Sequence, residues 1–370
     1  MRKVLTVILA LILIALLIVG CYAAYLNFSY YRISDNQATN VENNQTSKLS
    51  TNETYSAITY NFGFGAYTPD FSFFMDSGEM SDGTKTQGKS AKAVSAESVE
   101  GTTKGSADML ENLSADFLLI QEIDTNSDRS RFVNQVGYYK NRFSNYGSSF
   151  AINLHTSYLF YPPTDPIGIM NSGILTLSKY NISSSIRRSY PVSDGFIEKL
   201  VDLDRCFQIN RIPVEGTDKE LVLINSHMSA YDEGGKIREL QMQLLTQILE
   251  EEHASGNWVI AGGDWNHALC DSENYYSSQQ NTPSWLSIFD ESKLKSYFSV
   301  IRANNIKEVA TCRGSDISYE KGVTHLSTVD GFIVSDNVSA TAENVDSDYQ
   351  FSDHNPVKLE FKLMDSSQHQ

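Results

Sequence analysis

The chain opens with "MRKVLTVILALILIALLIVGCYAAYL", uncharged and apolar from Val4 to about Leu26. A helix of about 20 such residues crosses the hydrocarbon core of a bilayer. Arg2 and Lys3 ahead of the run hold that end in the cytoplasm and send the rest across, so a single-pass anchor with its domain outside the cytoplasm is expected. A cleaved secretory signal and a lipoprotein signal ending at Cys21 are the alternatives. The apolar continuation from Tyr22 to Leu26 favours the uncleaved anchor over a cleaved signal. Every version places the remainder on the far side of the membrane.

That remainder is acidic. The 370 residues carry a formal charge of −16, and residues 1–34 hold three basic groups and no acidic one. A surface this negative repels phosphate backbones and excludes a protein that binds nucleic acid through a broad basic groove. It does not exclude a small phosphorylated substrate held by a metal. Cys206, Cys270 and Cys312 lie outside the anchor, too few for a disulfide framework, with room for one bridge.

Four segments are expected: an anchor over 1–26, a flexible linker over 27–55, a catalytic domain over 56–364 and a tail over 365–370. The linker rests on "DNQATNVENNQTSKLSTNET", rich in Asn, Thr, Ser and Gln and poor in apolar residues. Beyond it "YSAITYNFGFG" reads as a strand ending in glycines, and "ADFLLIQEID" as a buried strand that meets charge at Glu122. "DSGEMSDGTKTQGKSAK" reads as a surface loop before a helix that leads to Leu113. "SGILTLSKY", "ELVLINSHM", "STVDGFIVSD" and "VKLEFKLM" read as further strands. The segment from Lys236 repeats apolar residues at helical spacing and stops near Gly256. Strands alternating with helices predict packed sheets with helices on the outer faces.

"VIAGGDWNH" runs an apolar strand into Gly262 and Gly263 and then sets Asp264 and Asn266 two positions apart. In extended backbone these two side chains share one side. Alone, "GDWN" is an ordinary tight turn. Its companions change that reading: Asn61 closes the first strand, Glu122 the second and His227 the strand "LVLINSH", while "SDHNP" places Asp353 beside His354 before the last strand.

The ordered series of Asn61, "QE" at Glu122, "NSH" at His227, "GDWN", "STVDGFIV" and "SDHNP" resembles the endonuclease/exonuclease/phosphatase superfamily, from about Ser56 to Leu363. The resemblance implies a four-layered α/β sandwich that hydrolyses phosphoesters with a divalent metal, Mg²⁺ in the main and Mn²⁺ as a substitute. It makes Asn61, Glu122 and Asp353 the metal site, which suits a cation that prefers oxygen ligands. It makes Asp264 and Asn266 the pair that positions water and phosphate. His354, oriented by Asp330, becomes the other candidate general base, and His227 a hydrogen-bond donor to the phosphoryl oxygen.

Each of these residues has a plain structural reading as well: Asn61 as a turn cap, Glu122 as a solvated turn carboxylate, Asp330 in "VDGF" as a turn, and His227 as a hydrogen-bonded core residue. Only their order sets the functional reading above these. His155, His253, His267 and His325 match no family position and are expected to be structural, and "FSFFM" at Phe71–Met75 is read as a buried loop rather than a lipid contact.

"NSH" resembles the sphingomyelinase and deoxyribonuclease branches, and the Trp-Cys-Asp-Arg signature of inositol phosphatases is missing. Phosphodiesters or phosphomonoesters of lipid headgroups or small molecules are the expected substrates. The alternatives are an extracellular nuclease steered by a basic strip at Arg187 and Arg188, and a non-catalytic surface binding protein on the same fold. No partner protein is expected.

Overall fold

The computed structural model describes residues 2–193, 195, 204–230 and 236–365. Most of the expected tail lies outside them. After helix α1 (Arg2–Ser29), two mixed sheets are built from β1 (Gln37–Ala38), β2 (Val41–Glu42), β3 (Thr54–Asn61), β4 (Phe117–Asp124), β5 (Gly147–His155), β6 (Asn171–Ser178) and β7 (Ser184–Ser189). They are completed by β8 (Cys206–Pro213), β9 (Glu220–His227), β10 (Trp258–Asp264), β11 (Phe298–Ile301), β12 (Asp330–Ser335), β13 (Val338–Asn344) and β14 (Val357–Leu363). One sheet runs β1-β7-β8-β9-β10-β12-β11 and the other β13-β14-β3-β4-β6-β5-β2.

Each sheet contains one parallel pair, β9 with β10 and β3 with β4. Parallel neighbours need a long crossover. The chain supplies it with helix α2 (Ala96–Leu113) between β3 and β4, and with helix α4 (Lys236–Ala254) between β9 and β10; α3 (Gln135–Arg142) lies between β4 and β5. Ser95 caps α2 by accepting from the Ser98 amide, and Gly256, at φ +81, follows α4 as the expected stop.

Three cores fix the layers. Ala57, Phe117, Leu119, Leu221, Leu223, Ile260, Phe332 and Phe361 pack between the sheets. Leu245 and Leu249 of α4 pack on Val222, Ile224 and Val259, while Leu110 of α2 and Tyr139 of α3 pack on Ile58, Leu118 and Ile120. Alternation along each strand sends one side chain to a helix and the next between the sheets. The result is the expected four-layered α/β sandwich. Gly262 faces inward, where an added Cβ would stand 2.4 Å from the Phe332 ring; here glycine is a packing requirement rather than a turn.

The segment read as a flexible linker is built into the domain instead. β1 pairs with β7 in one sheet and β2 with β5 in the other. Leu49 is buried in the inter-sheet core, and Asn44 bonds the backbone of Ile182. Asn, Thr and Ser here serve as edge-strand and capping residues, which composition alone cannot distinguish from disorder. All four cysteines are free thiols.

Candidate active site

The inter-sheet space changes character toward one end. Below lies the apolar core. Above it Gln121 donates to Asn225 of the facing sheet (2.8 Å) and to Thr59, and Thr176 and Asn210 join the same buried layer. Above that come the charges. Parallel strands end on the same edge, so the last inward-facing residues of β3, β9 and β10, which are Asn61, His227 and Asp264, arrive together. Asp330 opens β12, antiparallel to β10 with Asp330 opposite Asp264, and therefore starts where β10 ends. His354 precedes β14, antiparallel to β3, and meets the same edge.

Glu122 reaches this edge by a backbone irregularity. Simple alternation would turn it toward the helices, because its neighbour Gln121 points inward. The pairing of β4 with β6 shifts register between Ile120 and Ile123, and Glu122 has φ +51. This bulge redirects the carboxylate into the site, 3.4 Å from the Asn61 amide nitrogen and 3.7 Å from His227 Nε2.

Around Asp264 the groups are tightly ordered. Its Oδ2 accepts from Asn61 Nδ2 at 2.9 Å and its Oδ1 from the Asn266 amide at 2.9 Å. Asn61 Oδ1 accepts from the Gly63 amide at 3.0 Å. Asn266, at φ +49, donates its side-chain amide to the Met228 carbonyl. Burial, then the Asp330 carboxylate, raise the Asp264 carboxyl above the usual range.

His354 Nδ1 bonds Asp330 Oδ2 at 2.8 Å and its Nε2 lies 3.9 Å from Asp264 Oδ2. Ligand atoms of Asp264, Asp330 and His354 all fall within 4.8 Å of one another. Burial opposes a charge on His354, but the adjoining Asp330 carboxylate outweighs it and lifts the imidazole well above the ordinary histidine range. His227 behaves oppositely: burial and the cation of Arg205 hold it well below that range. Asp353 is pushed up to about 6, by burial and by the Glu122 carboxylate against the opposing pull of His354 and Arg313. Burial with Arg205, and the Asp330 carboxylate, thus push the two imidazoles at this edge in opposite directions.

The structure brings together Asn61, Glu122, His227, Asp264, Asn266, Asp330 and His354, with Asp353 in electrostatic reach of Glu122. The sequence reading missed Arg205, whose guanidinium donates to His227 Nε2. It also missed Arg129, which forms a bidentate pair with Asp124 (2.8 and 3.1 Å) and lies 3.9 Å from the centre of the Phe64 ring. Arg205 had one signal, a cation just before a strand that ends opposite "NSH"; it stands beside Cys206, the first residue of β8.

The basic strip fails on inspection. Arg187 is buried, with its guanidinium bound to the carbonyls of Ile152 and Asp204 and to Ser189, and Arg188 pairs with Asp35. His155, His253 and His267 have structural partners in Asn171, Asp336 and the Trp265 carbonyl. His325 is buried. "FSFFM" divides, with Phe71 and Phe73 buried and Met75 exposed.

Residues 59–354 match the model of the Endonuclease/Exonuclease/phosphatase family. The fold is similar to that of an endonuclease/exonuclease/phosphatase from Beutenbergia cavernae (TM-score 0.56, 13% identity, covering 84% of this chain and 72% of that one). It is also similar to TDP2 from C. elegans (TM-score 0.53, 15% identity, 85% and 76%) and to a family protein from Leptotrichia buccalis (TM-score 0.52, 12% identity, 83% and 99%). No curated protein sequence matches the chain.

Proposed function

The chain belongs to the endonuclease/exonuclease/phosphatase family, and from this premise we propose that it is a membrane-anchored, metal-dependent phosphoesterase with its domain outside the cytoplasm. The observation that supports this most is the meeting of Glu122, Asp264, Asp330 and Asp353 with two buried histidines, delivered by strand ends of both sheets.

The donor set fits a hard dication. Asn61, Glu122 and Asp353 offer oxygen, and the raised carboxyl of Asp353 marks a negative charge that a cation would stabilise. Asp330 Oδ1 is buried without a hydrogen-bond partner among the described residues. Asn61, Glu122 and Asp353 would hold Mg²⁺, which when bound would supply neutralisation of phosphoryl charge and orientation of water.

The chain's own groups account for the rest. Asp264, fixed at both oxygens and less acidic than an exposed carboxylate, accepts the proton of the attacking water. His354, held as imidazolium by Asp330, faces the developing negative charge. His227 is neutral; because Arg205 donates to its Nε2, its hydrogen lies on Nδ1 in this arrangement. Donation from Nε2 to a phosphoryl oxygen requires the other tautomer, with the hydrogen on Nε2 and the Arg205 guanidinium turned away from it. Negative net charge and the engaged Arg187 and Arg188 speak against the nuclease reading.

The test is hydrolysis of bis-p-nitrophenyl phosphate by the full chain in detergent, with Mg²⁺ and with EDTA. Metal-dependent turnover that His354→Ala nearly abolishes is expected; equal turnover in EDTA would refute the mechanism.

A further inference from the structure

The anchor helix is attached to the active-site edge of the sandwich. The loop from Thr156 to Met170 joins β5 to β6, and it grows from the edge that carries Glu122, because Ser172 of β6 stands opposite Asp124 of β4. The foot of α1 grips this loop. Tyr22 Oη donates to the Tyr158 carbonyl (3.1 Å) and accepts from the Phe160 amide (2.8 Å), and Tyr25 Oη accepts from the Tyr158 amide (3.1 Å). Just beyond the helix Tyr31 packs on His155, with ring centroids 4.9 Å apart. Arg32 pairs with Asp204 at 2.9 Å, one residue from the Arg205 that touches His227.

Helix length sets the depth of this joint. From Val4, next to the cytoplasmic Arg2 and Lys3, about 20 residues at about 1.5 Å each cross the hydrocarbon core. The opposite interface then falls near Tyr22–Tyr25, in the depth zone that tyrosine favours. The gripped loop therefore lies at the lipid headgroups. Exposed side chains suit that place: Phe160 is 59% and Tyr161 65% exposed on the loop, and Phe28 is 87% exposed near the end of the helix. Tyr161 also packs on Phe74 (5.8 Å between centroids), whose neighbour Met75 is exposed in the loop that follows Asn61. An apolar rim of this kind, continuous with a membrane helix, matches an interfacial lipid surface.

We infer that the active-site edge faces the bilayer, with the rim of Phe28, Phe160, Tyr161 and Met75 seated among the headgroups, and that the substrate is a phosphoester of a lipid headgroup. The substrate assignment rests on the phosphoesterase reading above; the docking assignment rests on the anchor and the rim.

Both parts are tested on the full chain in vesicles. Tyr161→Trp and, at the opposite pole, Thr217→Trp are compared in phosphatidylcholine vesicles with and without brominated acyl chains. Bromine is expected to quench the added emission of Tyr161→Trp and to leave that of Thr217→Trp unchanged; equal behaviour of the two overturns the docking. In vesicles of phosphatidylcholine, phosphatidylglycerol and sphingomyelin with Mg²⁺, the release of water-soluble phosphorus is expected to fall several-fold in Phe160→Ser/Tyr161→Ser. Turnover of bis-p-nitrophenyl phosphate by that variant stays at the parent level. Release that is absent, or that the double variant leaves unchanged, overturns the lipid substrate when soluble turnover is intact. If neither substrate is cleaved, the phosphoesterase reading fails, while the quenching still decides the docking.

Discussion

His354 and Asp330 form a buried pair, Nδ1 to Oδ2 at 2.8 Å, in which the carboxylate holds the imidazole protonated against the cost of burial. A group whose folded-state pKa is raised contributes stability below its unfolded value near 6.5 and loses it as pH rises through the folded value. Asp330→Asn removes the charge. The His354 ring, followed by NMR, is expected to titrate at lower pH in that variant, and the alkaline limb of the rate profile to move down with it. An unmoved limb would show that His354 does not act as the cation. Loss of one positioned electrostatic stabiliser of this kind, as in His354→Ala, lowers kcat by about 10²–10³-fold.

Arg205 and His227 give a different expectation. Without the guanidinium, His227 loses a cationic neighbour, though burial remains the larger force keeping it neutral. A charge-assisted hydrogen bond is worth about 1.5–3 kcal/mol. Arg205→Ala is therefore expected to lower kcat/KM for a phosphodiester by one to two powers of ten, with partial recovery in Arg205→Lys. Steady-state kinetics separates this from unfolding, which circular dichroism reports.

Asp353 links metal and acidity. Its carboxyl, raised to about 6, keeps a proton in the folded metal-free protein that the unfolded chain releases near 3.9. The folded form binds more protons in that window, so this group contributes stability as pH falls from about 6 toward about 4. A cation competes with the proton. Melting temperatures with Mg²⁺ and with EDTA are expected to differ most above pH 6 and to converge below it, and Asp353→Asn to flatten the dependence. A metal-induced rise that ignores pH would place the ion away from Asp353.

Much of the site was legible because it lies at strand ends where an apolar pattern meets a polar residue, as at "LVLINSH" and "VIAGGD". The order of those breaks carried the fold. What escaped detection had physical causes. β5 and β8, "GSSFAINLH" and "CFQINRIP", place Ser149, Gln208 and Asn210 inside, where they bond one another and Thr176 across the sheets. Buried amides and hydroxyls erase the apolar alternation by which a strand is recognised. Glu122 was found by type and position, but the bulge that aims it leaves no trace in "FLLIQEID". Arg205 was hidden because its partner lies on another strand.

The closeness of β1 to the anchor has a kinetic meaning. Only residues 30–36 separate the end of α1 from the first strand, at most about 25 Å of extended chain, and even these are pinned by Arg32 and Tyr31. With α1 spanning a bilayer as proposed, the domain could not reach out on a leash to sample the surrounding fluid. It would glide laterally with its own helix, and encounters would be governed by how many target molecules occupy each patch of leaflet rather than each volume of medium.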